Sequence, residues 1–246
     1  MLLANELVAQ WLSSRRCPTI YRVHAKPDEQ KLERLGEIAE VLGAAVDLNE
    51  LQSPLSVARF LAQISEHPRK QVLEGLLLRS LKQAVYDIAN IGHFGLASDA
   101  YLHFTSPIRR YPDVEVHRGV KRVLPGAKTD TSPGAIEELR VHATAASTRE
   151  RAAMEVEREV VDLYRTLLMR DRIGDILEGT VTAIVGTGMY VTLDQPFVDV
   201  LVRYEAFGPD HYEPSENELE VIGARSGDRV ALGDRVLVQI EDVAVL

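Results

Sequence analysis

The chain has 246 residues, 46% of them hydrophobic, and a formal net charge of −9, which suits one large domain or two smaller ones and argues against a generic nucleic-acid coat. Its single cysteine, Cys17, excludes an internal disulfide and a cysteine-based zinc site, and fits a reducing compartment. The start, Met1-Leu2-Leu3-Ala4-Asn5-Glu6, lacks a basic region and turns amphipathic at once, and no apolar run approaches the length of a membrane span, so a soluble, cytoplasmic protein is expected.

Residues 2–12 have helical character, and Cys17 to Val23 reads as a short extended segment. Pro27-Asp28-Glu29 opens a helix through Leu32, Leu35, Ile38 and Leu42, with Gly43 as its C-terminal cap. Ser53-Pro54 starts a second through Val57, Phe60, Leu61 and Ile64, stopped by His67-Pro68. A third is expected from Arg69 to Asn90. Glycines and aromatics at Ile91-Gly92-His93-Phe94-Gly95 suggest tight turns, followed by a strand through Tyr101-Leu102-His103-Phe104. Beyond a helix that opens at Pro112 and a polar linker over 125–134, a long helix is expected from Ala135 to Arg172. From Ile173 the period becomes alternating: Ile176–Val185, a Gly-Thr-Gly turn, Met189–Leu193, Val198–Arg203 and Val236–Val243 read as strands of a small OB-type barrel.

Charge is unevenly spread. From Ile173 onward there are four Arg, no Lys and fourteen acidic residues, which leaves the first 172 residues close to neutral. Within them Arg109, Arg110, Arg118, Lys121 and Arg122 outnumber Asp113 and Glu115, so a local positive field can exist in an acidic protein. Part of it suits the dipole of the helix opening at Pro112, with Asp113 in the first turn and the basic residues further along. The least ordinary stretch is Thr105-Ser106-Pro107-Ile108-Arg109-Arg110-Tyr111-Pro112-Asp113. Two prolines bracket adjacent arginines and restrict the backbone on both sides, which holds cations still. Two readings are open: a loop whose guanidinium groups pair with carboxylates, or one that presents them to phosphate.

The segments Tyr21-Arg22-Val23-His24, His93-Phe94-Gly95-Leu96 and Tyr101 to Asp113, with His117-Arg118 after them, resemble in order and spacing those of bacterial ribonuclease R and its ribonuclease II relatives. Gly174-Asp175-Ile176-Leu177-Glu178-Gly179-Thr180-Val181 is similar to the OB-fold RNA-binding domain repeated in a small-subunit ribosomal protein. The resemblance covers essentially the whole chain. It implies an α+β fold: over 1–172 the mostly helical C-terminal part of a ribonuclease II type catalytic domain, and over 173–246 a small OB-fold β-barrel. It also implies processive 3′-to-5′ hydrolysis of single-stranded RNA to nucleoside 5′-monophosphates, with two magnesium ions at the scissile phosphate. Arg109 matches the position expected to bind that phosphate, and Glu157 a helix carboxylate near the last nucleotide. Glu157 has a second reading, as part of a solvated Glu/Arg helix face with i,i+4 pairs. Thr105, Ser106, Arg110, Tyr190 and Arg203 are the further candidates for RNA contact, Arg110 serving either the RNA or its own helix.

The resemblance also exposes departures. The family's metal-binding aspartates lie upstream of anything seen here, and Asp28, Asp47 and Asp87 are scattered without ligand spacing. The expectation is the C-terminal portion of a larger ribonuclease, inactive by itself, with a non-catalytic RNA-binding or regulatory protein as the alternative and a helical interaction scaffold as a third reading. Around the barrel's glycine turn, Thr187 and Met189 stand where the family usually shows aromatics, leaving Tyr190, so weak RNA affinity is expected there. The barrel is also expected to be one strand short, with an open edge. His24, His93, His103 and His117 read as packed or hydrogen-bonded histidines rather than a metal set, and Phe94 and Tyr101 as core aromatics.

Overall fold

A computed structural model describes residues 1–44, 50–124, 129–215 and 217–244. Six helices are described, α1 (Leu2–Ser14), α2 (Glu29–Val41), α3 (Pro54–Gln63), α4 (Lys70–Ser80), α5 (Tyr111–Val123) and α6 (Pro133–Arg170). Three of them start at a side-chain cap: the Asp28 carboxylate accepts from Lys31 N–H before α2, Ser53 Oγ from Ser56 N–H at α3 and Ser132 Oγ from Ala135 N–H at α6. Asp47 and the first four residues of the 125–134 linker lie outside the described residues, and α6 begins within that linker, at Pro133. Among the described residues no helix is long and apolar enough to cross a membrane.

The chain divides into two compact units. The first comprises Met1–Leu32, Asp47–Phe60 and Arg79–Val156. At its centre Ala9 and Leu12 of α1, Leu102, and Val116 of α5 are fully buried, with Cys17, Tyr21, Val23 and Ala100 around them. A two-stranded antiparallel ribbon pairs β1 (Tyr21–Val23) with β2 (Val85–Asp87). β2 replaces the last part of the helix expected over 69–90, because α4 ends at Ser80 and Val85 and Tyr86 gain a strand partner. Beside the ribbon, Tyr86 packs with Ile20 and with Ala143 of α6, and its N–H donates to the buried Ser147 Oγ at 2.9 Å. Tyr101 to Phe104 forms no strand. Tyr101 O accepts from Arg22 N–H, while Phe104 N–H donates to the Asn5 side chain, so this backbone is satisfied partly by a side chain.

The second unit comprises Glu33–Val46, Leu61–Leu78 and Glu157–Leu246. Its main sheet has the order β5-β4-β3-β9, all antiparallel, from β3 (Ile176–Val185), β4 (Gly188–Leu193), β5 (Asp199–Arg203) and β9 (Arg235–Gln239). A bulge between Val181 and Ala183 bends β3 and curls the sheet in the manner of an OB-fold. Val181, Val191 and Leu193 are fully buried on its inner face, beside Met189, Ile184 and Met169. The sheet ends in β5 on one side and β9 on the other.

A second antiparallel sheet, β6-β7-β8, is built from Tyr212–Pro214, Glu220–Gly223 and Arg229–Ala231. These strands, three or four residues each, lie outside the four segments whose alternating pattern marks them as strands. Leu219 and Leu232 flank this sheet and pack with Ile38 and Val72, residues that sequence order places far from the barrel. Arg69 Nη2 pairs with Asp234 Oδ1 at 2.5 Å, and Arg34 Nη2 donates to Asn217 O at 2.6 Å.

Candidate functional site

In the first unit the arginine loop leads directly into α5. Arg110 is the extended residue that caps the helix, Pro112 lies in its first turn, and Lys121 and Arg122 sit in its last. The two adjacent arginines have different fates. Arg110 closes a bidentate pair on Asp113, Nε to Oδ1 and Nη2 to Oδ2, both at 2.9 Å. Asp113 is fully buried and also accepts from Ser106 N–H at 2.7 Å. Arg109 is exposed, and its guanidinium makes no hydrogen bond or ion pair with the described residues. Its own N–H and that of Arg110 both donate to Ser106 O, at 3.2 and 3.1 Å, which closes the turn. The Thr105 and Ser106 hydroxyls likewise have no partner among the described residues. Ile108 at the tip is 97% exposed.

The loop rests on a layer of aromatic and imidazole rings. His117 Nε2 donates to Phe104 O at 2.9 Å while its ring stacks on Phe104 at 4.2 Å, a second tie between loop and helix. The Tyr86 hydroxyl and His103 Nδ1 are 2.8 Å apart, and Tyr101 meets His93 and His103 edge to face. His24 Nδ1 accepts from Gly95 N–H, and the ring lies so close that a Cβ on Gly95 would stand 2.8 Å from that nitrogen. Burial, with the nearby charges of Arg110 and Arg22, brings His103 down to about 4, and burial with His24 and Arg22 does the same for His93. Burial lifts the Tyr86 phenol to about 12, so it stays a donor and fits a neutral His103 acceptor. His24, His103 and His117 are packed and hydrogen-bonded, whereas His93 is packed only: its buried Nδ1, like His24 Nε2, has no hydrogen-bond partner among the described residues. Phe94 and Tyr101 are both buried.

Further along α5, Glu115 is nearly buried and accepts from the Tyr111 hydroxyl and Arg118 Nη1, each at 2.6 Å. The positive field suggested by counting arginines is therefore narrower than the sequence implies. Arg110 and Arg118 are held by carboxylates of their own helix, and Arg22 by Glu150 at 2.5 Å, which leaves Arg109 as the cation presented by the loop.

In the second unit Tyr190, Leu201 and Arg203 share the outer face of the main sheet, in the register Tyr190↔Leu201 and Gly188↔Arg203. Tyr190 is 41% exposed and Leu201 43%, an aromatic and an aliphatic surface beside an exposed guanidinium. The opposite face takes Met189 into the core, so its side chain is no stacking platform. At the other end of the sheet Arg235 is held by Asp194 and Glu178.

Glu157 is exposed on α6 and has no partner among the described residues. Nor are i,i+4 pairs found around it: over 150–159 the one ion pair among the described residues is that of Glu150 with Arg22. The magnesium pair implied by the resemblance does not fit the described residues. No three of their His, Cys, Asp and Glu side chains stand where they could hold a metal ion, and the buried Asp113 is already occupied by Arg110 and Ser106. The residue whose place in the loop the sequence understated is Asp113, which holds both Ser106 N–H and Arg110. Its signal was an acid in a helix's first turn, three residues after an arginine.

Together these features define a class: an α+β protein with an arginine-bearing helical unit and an OB-type sheet, a fold much used on nucleic acids. An RNB domain model matches residues 1–126 and an S1 RNA binding domain model residues 170–245. The chain belongs to the RNB family, that of ribonuclease R and ribonuclease II. Ribonuclease R of Escherichia coli is 35% identical over 251 residues, covering 99% of this chain and 31% of the relative. That of Aquifex aeolicus is 38% identical over 241 residues, covering 97% and 34%. The apo structure of Mycoplasma genitalium RNase R superposes with a TM-score of 0.90 at 29% identity, over 100% of this chain and 39% of that one. A structure of the same enzyme with ribose-methylated single-stranded RNA gives the same score. The chain thus spans about a third of the length of the relatives it matches.

Proposed function

We propose that this chain is the phosphate-binding and RNA-guiding part of a 3′-to-5′ exoribonuclease that acts on single-stranded RNA in the cytoplasm and releases nucleoside 5′-monophosphates. The observation that carries this reading is the contrast between Arg110, locked on buried Asp113, and Arg109, exposed and without a partner on the same turn. An unpaired guanidinium carried on a turn whose backbone is already held is suited to an oxyanion whose charge grows during phosphodiester cleavage. Arg109 contacts the phosphate, the Thr105 and Ser106 hydroxyls stand beside it, and Glu157 attends the terminal nucleotide. Residues 173–246 form the RNA-binding barrel, with Tyr190 stacking on a base and Arg203 on the backbone, and residues 1–172 the catalytic-type part. Support comes from the ribonuclease R relatives and from the RNA-bound neighbour of the same fold.

The test is fluorescence anisotropy with a 5′-fluorescein-labelled oligoadenylate, read across a salt series. The chain is expected to bind. Arg109→Ala should weaken binding about ten- to hundredfold, the value of one charge-assisted contact, and lower the salt slope by about 0.7. An Arg109→Ala variant with unchanged affinity and slope would falsify the proposal. With Mg²⁺ added, the purified chain is expected to bind this RNA without releasing mononucleotides, because its described residues supply no metal-ligand set.

A further inference from the structure

We infer that Asp113 is a positioning residue for Arg109, an inference that rests on the phosphate-binding reading of that arginine. Three donors converge on its carboxylate: Arg110 Nε on Oδ1, with Arg110 Nη2 and Ser106 N–H on Oδ2. Ser106 and Arg110 are the two ends of the turn formed by Pro107, Ile108 and Arg109, so one buried anion holds both feet of the segment that carries the guanidinium. The turn's own bonds to Ser106 O and the His117 tie to Phe104 O restrict the remaining freedom. Asp113 itself is fixed by its place in the first turn of α5. It lies in the unit's interior, out of reach of RNA, and acts through the turn.

The same geometry gives Arg110 a role distinct from that of its neighbour. Its fork is filled by the carboxylate, so the pair contributes shape and close to no net charge, and the phosphate meets one arginine. Charge and position therefore predict opposite signs for one substitution. Asp113→Asn removes a negative charge near the phosphate and frees that of Arg110. By charge alone RNA should bind more tightly. If Asp113 positions Arg109, RNA should bind more weakly, because the amide replaces an acceptor with a donor facing a guanidinium and the turn loses one foot.

The experiment measures affinity of the same labelled oligoadenylate for the 246-residue chain and for the variants Asp113→Asn, Arg110→Lys, Arg109→Ala and both doubles with Arg109→Ala. Thermal unfolding of each is recorded alongside. Asp113→Asn and Arg110→Lys, which keeps the charge and loses the fork, are each expected to weaken binding about tenfold in the parent. On the Arg109→Ala background they should cause no further loss. That coupling is a readout which a general loss of stability would not produce. If Asp113→Asn fails to fold, Arg110→Lys and its double decide. Unchanged or tighter binding by the variants, with Arg109→Ala still harmful, overturns the positioning role and leaves the phosphate contact standing. Losses that persist in full on the Arg109→Ala background overturn it as well. No effect of Arg109→Ala overturns both.

Discussion

Gly188→Ala is expected to destabilise the barrel by about 3 kcal/mol, whereas Gly186→Ala, two residues earlier in the same turn, should stay within about 0.5 kcal/mol. The two glycines look alike in Gly186-Thr187-Gly188, yet they face different surroundings. A Cβ on Gly186 would meet nothing within 4 Å. One on Gly188 would press into the carbonyl oxygen of Val202 and stand 3.0 Å from Arg203 Cα, both of them backbone of the neighbouring strand. A side chain can swing aside, but β5 can yield only by loosening its pairing with β4, which runs from Gly188↔Arg203 to Thr192↔Asp199. Both RNA-facing candidates of the barrel depend on that pair of strands, because Tyr190 and Arg203 share one face only while the register holds. Hydrogen exchange followed by mass spectrometry is the direct measurement. Amides over 188–203 should lose protection in Gly188→Ala while β6, β7 and β8 keep theirs. Equal protection in the two variants would show that the close approach carries no weight.

Residues 176–193 show why the barrel was legible and where legibility ended. Val181 between Thr180 and Thr182, and Val191 and Leu193 between Tyr190, Thr192 and Asp194, mark an inner and an outer face by alternation, and the structure buries all three; Ile184, three residues after Val181, joins the inner face across the bulge. β6, β7 and β8 carry three or four residues each, in a stretch dense with Glu, Asp, Ser and Gly. A strand that short shows no resolvable period, and these are fixed by pairing and by Leu219 and Leu232 packing on Ile38 and Val72. The same cause accounts for β2: Val85 and Ile88 continue the apolar spacing of the helix before them, but Val85 and Tyr86 favour strands, and β1 supplies the partner.

The arginine loop divides in a similar way. Two prolines bracketing adjacent arginines made the stretch conspicuous, and spacing relative to α5 placed Asp113 in the first helical turn. Which arginine would turn inward depended on side-chain direction, and here the i,i+3 geometry takes Arg110 to Asp113 and leaves Arg109 outside. The positive field followed the same logic. Counting residues gave five cations against two acids, whereas the fold cancels Arg110 and Arg118 with those two acids.

Acidification should weaken the first unit from about pH 6.5 downward. His93 and His103 are held near 4 by burial and by the cations beside them, against about 6.5 in an unfolded chain. Between those values the unfolded chain binds protons that the folded one refuses. The stability these rings contribute is therefore complete above pH 6.5 and is lost as pH falls toward 4. At full weight the gap is worth roughly 3 kcal/mol per ring, and since both rings keep some solvent contact, about 2 kcal/mol each is a better measure. Trp11, the chain's one tryptophan, packs against the same unit's core and reports its unfolding by fluorescence. Urea titrations should show unfolding free energy falling by about 3 kcal/mol from pH 7 to pH 4.5. Replacing both histidines with glutamine lowers stability at neutral pH, since His103 loses its bond with the Tyr86 hydroxyl, but should flatten this dependence by more than half. A double variant whose pH profile runs parallel to that of the parent would assign the acid sensitivity to other groups. In the intact pattern Tyr86 remains protonated, His103 remains its neutral acceptor, and the layer of rings under the arginine loop keeps its geometry throughout the neutral range.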